Sequence, residues 1–238
     1  MTAILEKVNP LILDGSRSIR EQQLKLYRTL PSEEVANHVS KVLTYVHIGM
    51  MHMAADIRST SIDVLDWLVS IAGQEVVSSA GGWYQTLDRL IGILGWRKTT
   101  DTGNWTQSQI SIAKPGADSK LRTKQMNTMV AFLETGFREP NEQGQSPGQV
   151  AARLFPLCDT DRHLIGTKTN SFGYLNLFGP TRHAENEIYD DVESRKRIFE
   201  DKLYREVVIG VQGAKKEGGD VGRVASTLDK LLNKHFGG

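Results

Sequence analysis

Four groups of residues in this chain have the types and spacing that chemistry needs. The first is Gly49-Met50-Met51-His52-Met53, with His47 before it and Asp56 after it. Thioether and imidazole groups suit copper or zinc, and His52 and Asp56 stand one helical turn apart. A metal site, however, needs three or four ligands in a defined geometry. A helix-to-helix turn whose methionines fill the core needs none of that, and it is the preferred reading. The second group is Cys158 with Asp159, Asp161 and His163, a thiol beside a base. Catalytic Cys and His partners meet through the fold rather than along the chain, so adjacency is poor evidence and a plain thiol is expected. The third is Glu217-Gly218-Gly219-Asp220-Val221-Gly222-Arg223, a glycine-rich stretch ahead of a helix. It lacks both a preceding strand and the Gly-Lys-Ser/Thr ending of a phosphate loop, and reads as a helix stop and restart.

The fourth group is basic. Arg97, Lys98, Lys114, Lys120, Arg122 and Lys124 face only Asp101 and Asp118, with Trp96 and Trp105 alongside. Cations interleaved with aromatic rings can take RNA phosphates and bases, so this stretch is the candidate RNA or partner contact. A solvated loop beside a helix start is the alternative. An acidic run, Glu185, Glu187, Asp190, Asp191 and Glu193, precedes Arg195-Lys196-Arg197 and suits a protein partner better than nucleic acid. It also suits a helix start, where carboxylates meet the positive end of the dipole. No His-Glu-x-x-His pair occurs in the sequence, and Gly144-Gln145-Ser146-Pro147-Gly148, which has the Gly-x-Ser-x-Gly spacing, falls in the connector Glu139–Gly148 with no strand ahead of it to build a nucleophile elbow. Neither catalysis nor a cofactor is expected.

The elements that would position these groups are helical. Apolar residues recur at helical spacing over Ser18–Leu30, over a second helix from Ser32 to Gly49, and over a third from Ala54 to Ala72 that Gly73 ends. A helix opening at Gly82 and another over Leu121–Phe137 flank a long insertion from Trp96 to Lys120, rich in Thr, Gly, Ser and Asn. Glu139–Gly148 is a connector, and 158–180 reads as irregular. Glu185–Val211 and Val221–Phe236 return to helix, giving six or seven helices and little or no strand. Ile19-Arg20 recurs 38 residues later as Ile57-Arg58, with Leu24, Leu26, Tyr27 and Leu30 matched by Ile62, Val64, Leu65 and Leu68. That offset is close to the period of HEAT and armadillo helix pairs, about 40 residues. Asp14 and Asp56 precede the two copies and resemble, with Arg20 and Arg58, the Asp and Arg positions that form ladders between HEAT repeats. Only the Ile-Arg pair repeats in register.

The bounds are consistent with this. The chain has 238 residues, 39% of them hydrophobic, enough for a continuous core. Its 29 Lys and Arg against 28 Asp and Glu leave a net charge of +1, so any electrostatic footprint is local. One cysteine cannot form an internal disulfide, which fits a reducing compartment. The N-terminus lacks the basic region and cleavage site of a signal peptide, and no segment approaches the ~18 apolar residues of a membrane span.

Val8–Leu30, Tyr45–Leu68, Gly73–Trp96 and Asn176–Phe199 together resemble the pre-ribosomal-RNA processing family called Ipi-one, whose animal counterpart is testis-expressed protein ten. The most specific piece is Glu75-Val76-Val77 with Trp83 and the closing Leu94-Gly95-Trp96. The resemblance implies an α-solenoid subunit of a Rix complex, joining a WD-repeat subunit and a larger helical subunit on large-subunit precursors in the nucleus. It further implies support for removal of the second internal transcribed spacer and recruitment of a AAA-type remodelling ATPase, with no catalytic residues. The family generally has a basic extension upstream, whereas this chain starts in an apolar helix with Ile4, Leu5, Val8, Leu11 and Leu13. Either an upstream segment was removed or it is absent, and an apolar start where solenoid ends carry a polar cap points toward truncation. The expectation is an all-α, HEAT/armadillo-like solenoid: HEAT-like repeats over 1–138, an irregular connector over 139–184 and C-terminal helices over 185–238. Its expected work is non-enzymatic assembly, with direct RNA binding through 96–124 as the alternative.

Overall fold

A computed structural model describes residues 2–97, 119–138 and 187–236, and these are helices and connections without a strand. The chain divides into two units, one made of residues 1–137 with 185–238 and the other of 138–184, which lies almost wholly outside the described residues. In the first unit, α1 (Thr2–Val8) runs into a 3-10 turn (Asn9–Leu13) at Pro10, followed by α2 (Arg17–Arg28) and the short α3 (Ser32–Ala36). Then come α4 (Val39–Met50), α5 (Ala55–Ser78), α6 (Gly82–Ile93), α7 (Ser119–Phe137), α8 (Val192–Lys202), α9 (Tyr204–Glu217) and α10 (Gly219–Phe236). Helix α5 packs on α4 and on α7, α7 packs in turn on α10, and α10 pairs with α9.

The core is continuous through this series, from Leu5 and Ile12 to Leu228 and Leu232. Its centre of gravity is aromatic. Trp83 is fully buried, stacked on Phe132 with ring centroids 5.4 Å apart and edge-on to Phe137. Phe199 of α8 and Phe236 of α10 complete the cluster. Gly136 lies directly beneath the Trp83 ring, where a Cβ would collide with it. The Leu94-Gly95-Trp96 stretch is a helix stop: Gly95 is left-handed at φ 70°, the Trp96 N–H donates back to Ile91 O at 3.0 Å, and the Gly95 N–H donates to Gly92 O. The stop turns the Trp96 indole inward onto Gly210 of α9.

Four expectations about elements need correction. The helix expected from Ser32 to Gly49 is two, broken at Asn37 and His38. Gly73 does not end α5; the helix continues to Ser78 through a kink at Ala72 (φ −138°, ψ 39°). Gly73 instead lets α7 approach, because a Cβ there would press on the Thr135 methyl. The long helix expected over Glu185–Val211 starts only at Val192, Asp191 capping it, and breaks at Leu203, where ψ is −26° and φ −120°. The methionines of 50–53 do not all fill the core: Met50 is buried, while Met51 and Met53 are exposed, Met53 at 84%.

Candidate functional site

Three of the buried polar groups are arginines at one helical position. Arg20, Arg58 and Arg195 are each the fourth residue of a helix, in α2, α5 and α8, and each is buried. Each guanidinium folds back over the start of its helix onto the carbonyl six residues upstream. Arg20 donates to Asp14 O at 2.5 Å, Arg58 to His52 O at 2.7 Å, and Arg195 to Tyr189 O at 2.7 Å. The remaining N–H groups then tie elements together. Arg20 Nη2 meets Asp56 Oδ2 at 2.5 Å and its Nε meets Thr60, so α2 is fastened to α5 across 36 residues of sequence. The Arg20 hydrogen bond holds the Asp56 carboxyl below its ordinary range. Arg195 donates to Asp190 O and to Gly136 O, while the Trp83 indole N–H donates to Arg195 O at 3.1 Å. Planar guanidinium suits this role, because its forked donors reach several carbonyls at once.

Arg20 and Asp56 thus form one ion pair between the two repeat copies. Asp14 contributes its backbone carbonyl to Arg20 and uses its carboxylate to accept the Ser16 N–H. Arg58 turns to the carbonyls of His52 and Met53. Arg195 escaped the sequence reading because no Ile-Arg pair marks it; the shared signal is a buried arginine three residues after a helix start, visible only once the starts are known.

Of the residues of the expected basic contact, Arg97, Lys120, Arg122 and Lys124 are described. Lys98, Trp105 and Lys114 lie outside the described residues. Arg97 pairs with Asp88, Arg122 Nη1 reaches both Glu217 carboxylate oxygens at 2.7 and 2.8 Å, and Lys124 bonds Asp63 at 2.7 Å and Ser59 O at 2.9 Å. Lys120 is exposed. Arg122 and Lys124 therefore join α7 to α9 and α5, while Arg97 folds back onto α6, the helix it follows. In the acidic run, Glu185 lies outside the described residues. The Glu187 carbonyl accepts the Gly81 N–H at 3.1 Å, the Asp190 carbonyl takes Arg195, and the Asp191 carboxylate caps α8 by accepting the Ser194 N–H at 2.7 Å. That bond keeps the Asp191 carboxyl below its usual range. The side chains of Asp190 and Asp191 remain at the surface.

The expected methionine and histidine group also diverges. His47 points into the core and shares a 2.8 Å hydrogen bond with Thr86 of α6, whereas His52 Nδ1 accepts the Ala54 N–H. Burial pulls the His47 imidazole down to about 3, so it is neutral in the fold. Among the described residues no three His, Cys, Asp or Glu side chains come together as metal ligands. Cys158 and His163 lie outside them. No described helix is long and apolar enough to cross a membrane.

The arrangement fastens helices and leaves surfaces. A family model described as "Rix1 complex component involved in 60S ribosome maturation" matches residues 33–133, the span from α3 to the Trp83-facing part of α7. The pre-rRNA-processing protein ipi1 of Neosartorya fischeri is 40% identical over 240 residues, covering 98% of this chain and 69% of that protein. The Chaetomium thermophilum protein of the same name is 40% identical over 233 residues, covering 96% and 67%, and that of Aspergillus oryzae 39% over 239 residues, covering 98% and 64%. The chain spans about two thirds of the length of these relatives. On identity of this level over nearly its whole length, the chain belongs to the ipi1 family of pre-rRNA-processing proteins.

Proposed function

We propose that the chain is a non-enzymatic assembly subunit of a Rix-type complex that acts on precursors of the large ribosomal subunit in the nucleus. Family membership carries this reading, since the family model is described by that complex and by 60S maturation. The interior supports it: the buried Arg20, Arg58, Arg195 and His47 are each bonded to backbone or to a neighbouring helix. On this reading α4 on α5, α5 on α7, α7 on α10 and α10 on α9 form a HEAT-like stack. Its surfaces receive a WD-repeat subunit and a larger helical subunit, and the assembled complex supports spacer removal and engagement of a AAA-type ATPase. Direct RNA binding through 96–124 is the weaker reading, because Arg97, Arg122 and Lys124 are already neutralised by Asp88, Glu217 and Asp63.

Depletion of the protein in its source organism, followed by blotting with probes to the second internal transcribed spacer, tests the processing role. Precursors retaining that spacer should accumulate, and re-expression should clear them. An unchanged precursor pattern would contradict the reading.

A further inference from the structure

Helix α10 carries a surface that none of the structural roles above uses. Its apolar side is buried through Val221, Ala225, Leu228, Leu231 and Leu232. On the opposite side, Arg223, Ser226, Thr227, Lys230, Asn233 and Lys234 are all exposed. At 100° per residue these six fall within an arc of about 120°, and the three cations fall within about 40° of one another, in a row about 16 Å long. The nearest carboxylates sit off that arc. Asp220 makes a loose 3.4 Å pair with Arg223, and Asp229 is turned to Lys215 at 2.5 Å. Lys230 and Lys234 make no ion pair among the described residues, in contrast to Arg97, Arg122 and Lys124.

The geometry points to an RNA phosphate backbone as the ligand of this row. Along the arc the Ser226 and Thr227 hydroxyls donate to the carbonyls of Gly222 and Arg223 and the Asn233 amide donates to Asp229, so the cations are the groups left to meet phosphate oxygens. The arc has no apolar or aromatic residue to anchor a protein interface. The inference rests on the proposed function for its choice of RNA, since a pre-ribosomal particle presents that backbone. Contacts of this kind fix orientation without reading sequence. In the complex the row orients the subunit on the particle, while the protein partners supply specificity.

The test uses the full chain and a fluorescein-labelled single-stranded RNA, with anisotropy read over a salt series. Arg223→Gln/Lys230→Gln/Lys234→Gln removes the row at exposed positions, and Lys7→Gln/Lys25→Gln/Arg28→Gln removes the same charge from exposed positions on α1 and α2. Far-UV circular dichroism confirms that both variants are folded. Removing three phosphate contacts should lower the slope of log K against log salt by about 2, which is roughly a hundredfold in Kd at about 0.1 M salt. The control should keep the wild-type slope. Equal losses in both variants, or no RNA binding by the wild type, would overturn the assignment. So would poly-glutamate displacing the RNA at equal charge, which would make the row a contact for an acidic protein. Capture of the protein subunits by the α10 variant is measured in parallel, so failure of the RNA contact is distinguishable from failure of the assembly role.

Discussion

His47 sets a pH dependence that belongs to a single residue. Its imidazole is held neutral at the α4–α6 contact by burial, reinforced by the positive charge of Arg89, and is pulled from 6.5 to about 3. In the unfolded chain the ring takes a proton near pH 6.5, whereas in the fold it does so only near 3. Its contribution is therefore complete above pH 6.5 and lost as pH falls through that window, by up to about 1.4 kcal/mol per pH unit. Urea midpoints measured from pH 7 to pH 4 should decline, and His47→Gln should flatten that decline; a wild-type curve no steeper than that of the variant contradicts the placement. Arg195 makes a second claim at this scale. Arg195→Met keeps the packed stem but orphans the carbonyls of Tyr189, Asp190 and Gly136, and should cost about 3 kcal/mol by denaturant unfolding. Arg197→Met, on the exposed side of the same helix, should stay within about 0.5 kcal/mol. Arg20 was legible beforehand because it sits in the repeated Ile-Arg pair, and Asp56 because it adjoins the second copy at Ile57. Arg195 was not: its environment comes from Tyr189, Gly136 and Trp83, up to 112 residues apart in sequence.

Among the elements, periodicity located the helices and misplaced their ends. The stripes of α2, α4, α5, α6, α7 and α10 were legible because one face of each is apolar. Breaks at His38 and Leu203 were not, since neither carries proline or glycine. Gly73 was misread for the opposite reason. Glycine signals a stop only when the backbone turns left-handed, as at Gly95, whereas at Gly73 and Gly136 it marks the close approach of α5 to α7 and of α7 to Trp83. Gly136→Ala should then be destabilising by roughly 1–3 kcal/mol through overpacking, although alanine is the better helix former by about 1 kcal/mol. Thermal unfolding decides between the two effects, and a raised Tm would show that Trp83 does not sit against this glycine.

For the whole molecule, composition bounded the answer and family resemblance supplied it. A net charge near zero and an apolar content suited to a helical core exclude little, so no motif named an activity. The basic insertion reads as a nucleic-acid contact through its excess of cations beside Trp96 and Trp105; of those cations Arg97, Arg122 and Lys124 are held in three ion pairs with different helices. Their neutralisation shifts weight from salt-sensitive RNA binding to protein docking, and this difference makes the central claim testable. Phosphate contacts weaken steeply with salt, while apolar subunit interfaces do not. The direct measurement is a pull-down of the tagged chain from nuclear extract at low and at high salt, with mass spectrometry of the retained proteins. The account predicts that a WD-repeat subunit, a larger helical subunit and large-subunit assembly factors remain bound at high salt; recovery of RNA alone, lost as salt rises, would contradict it.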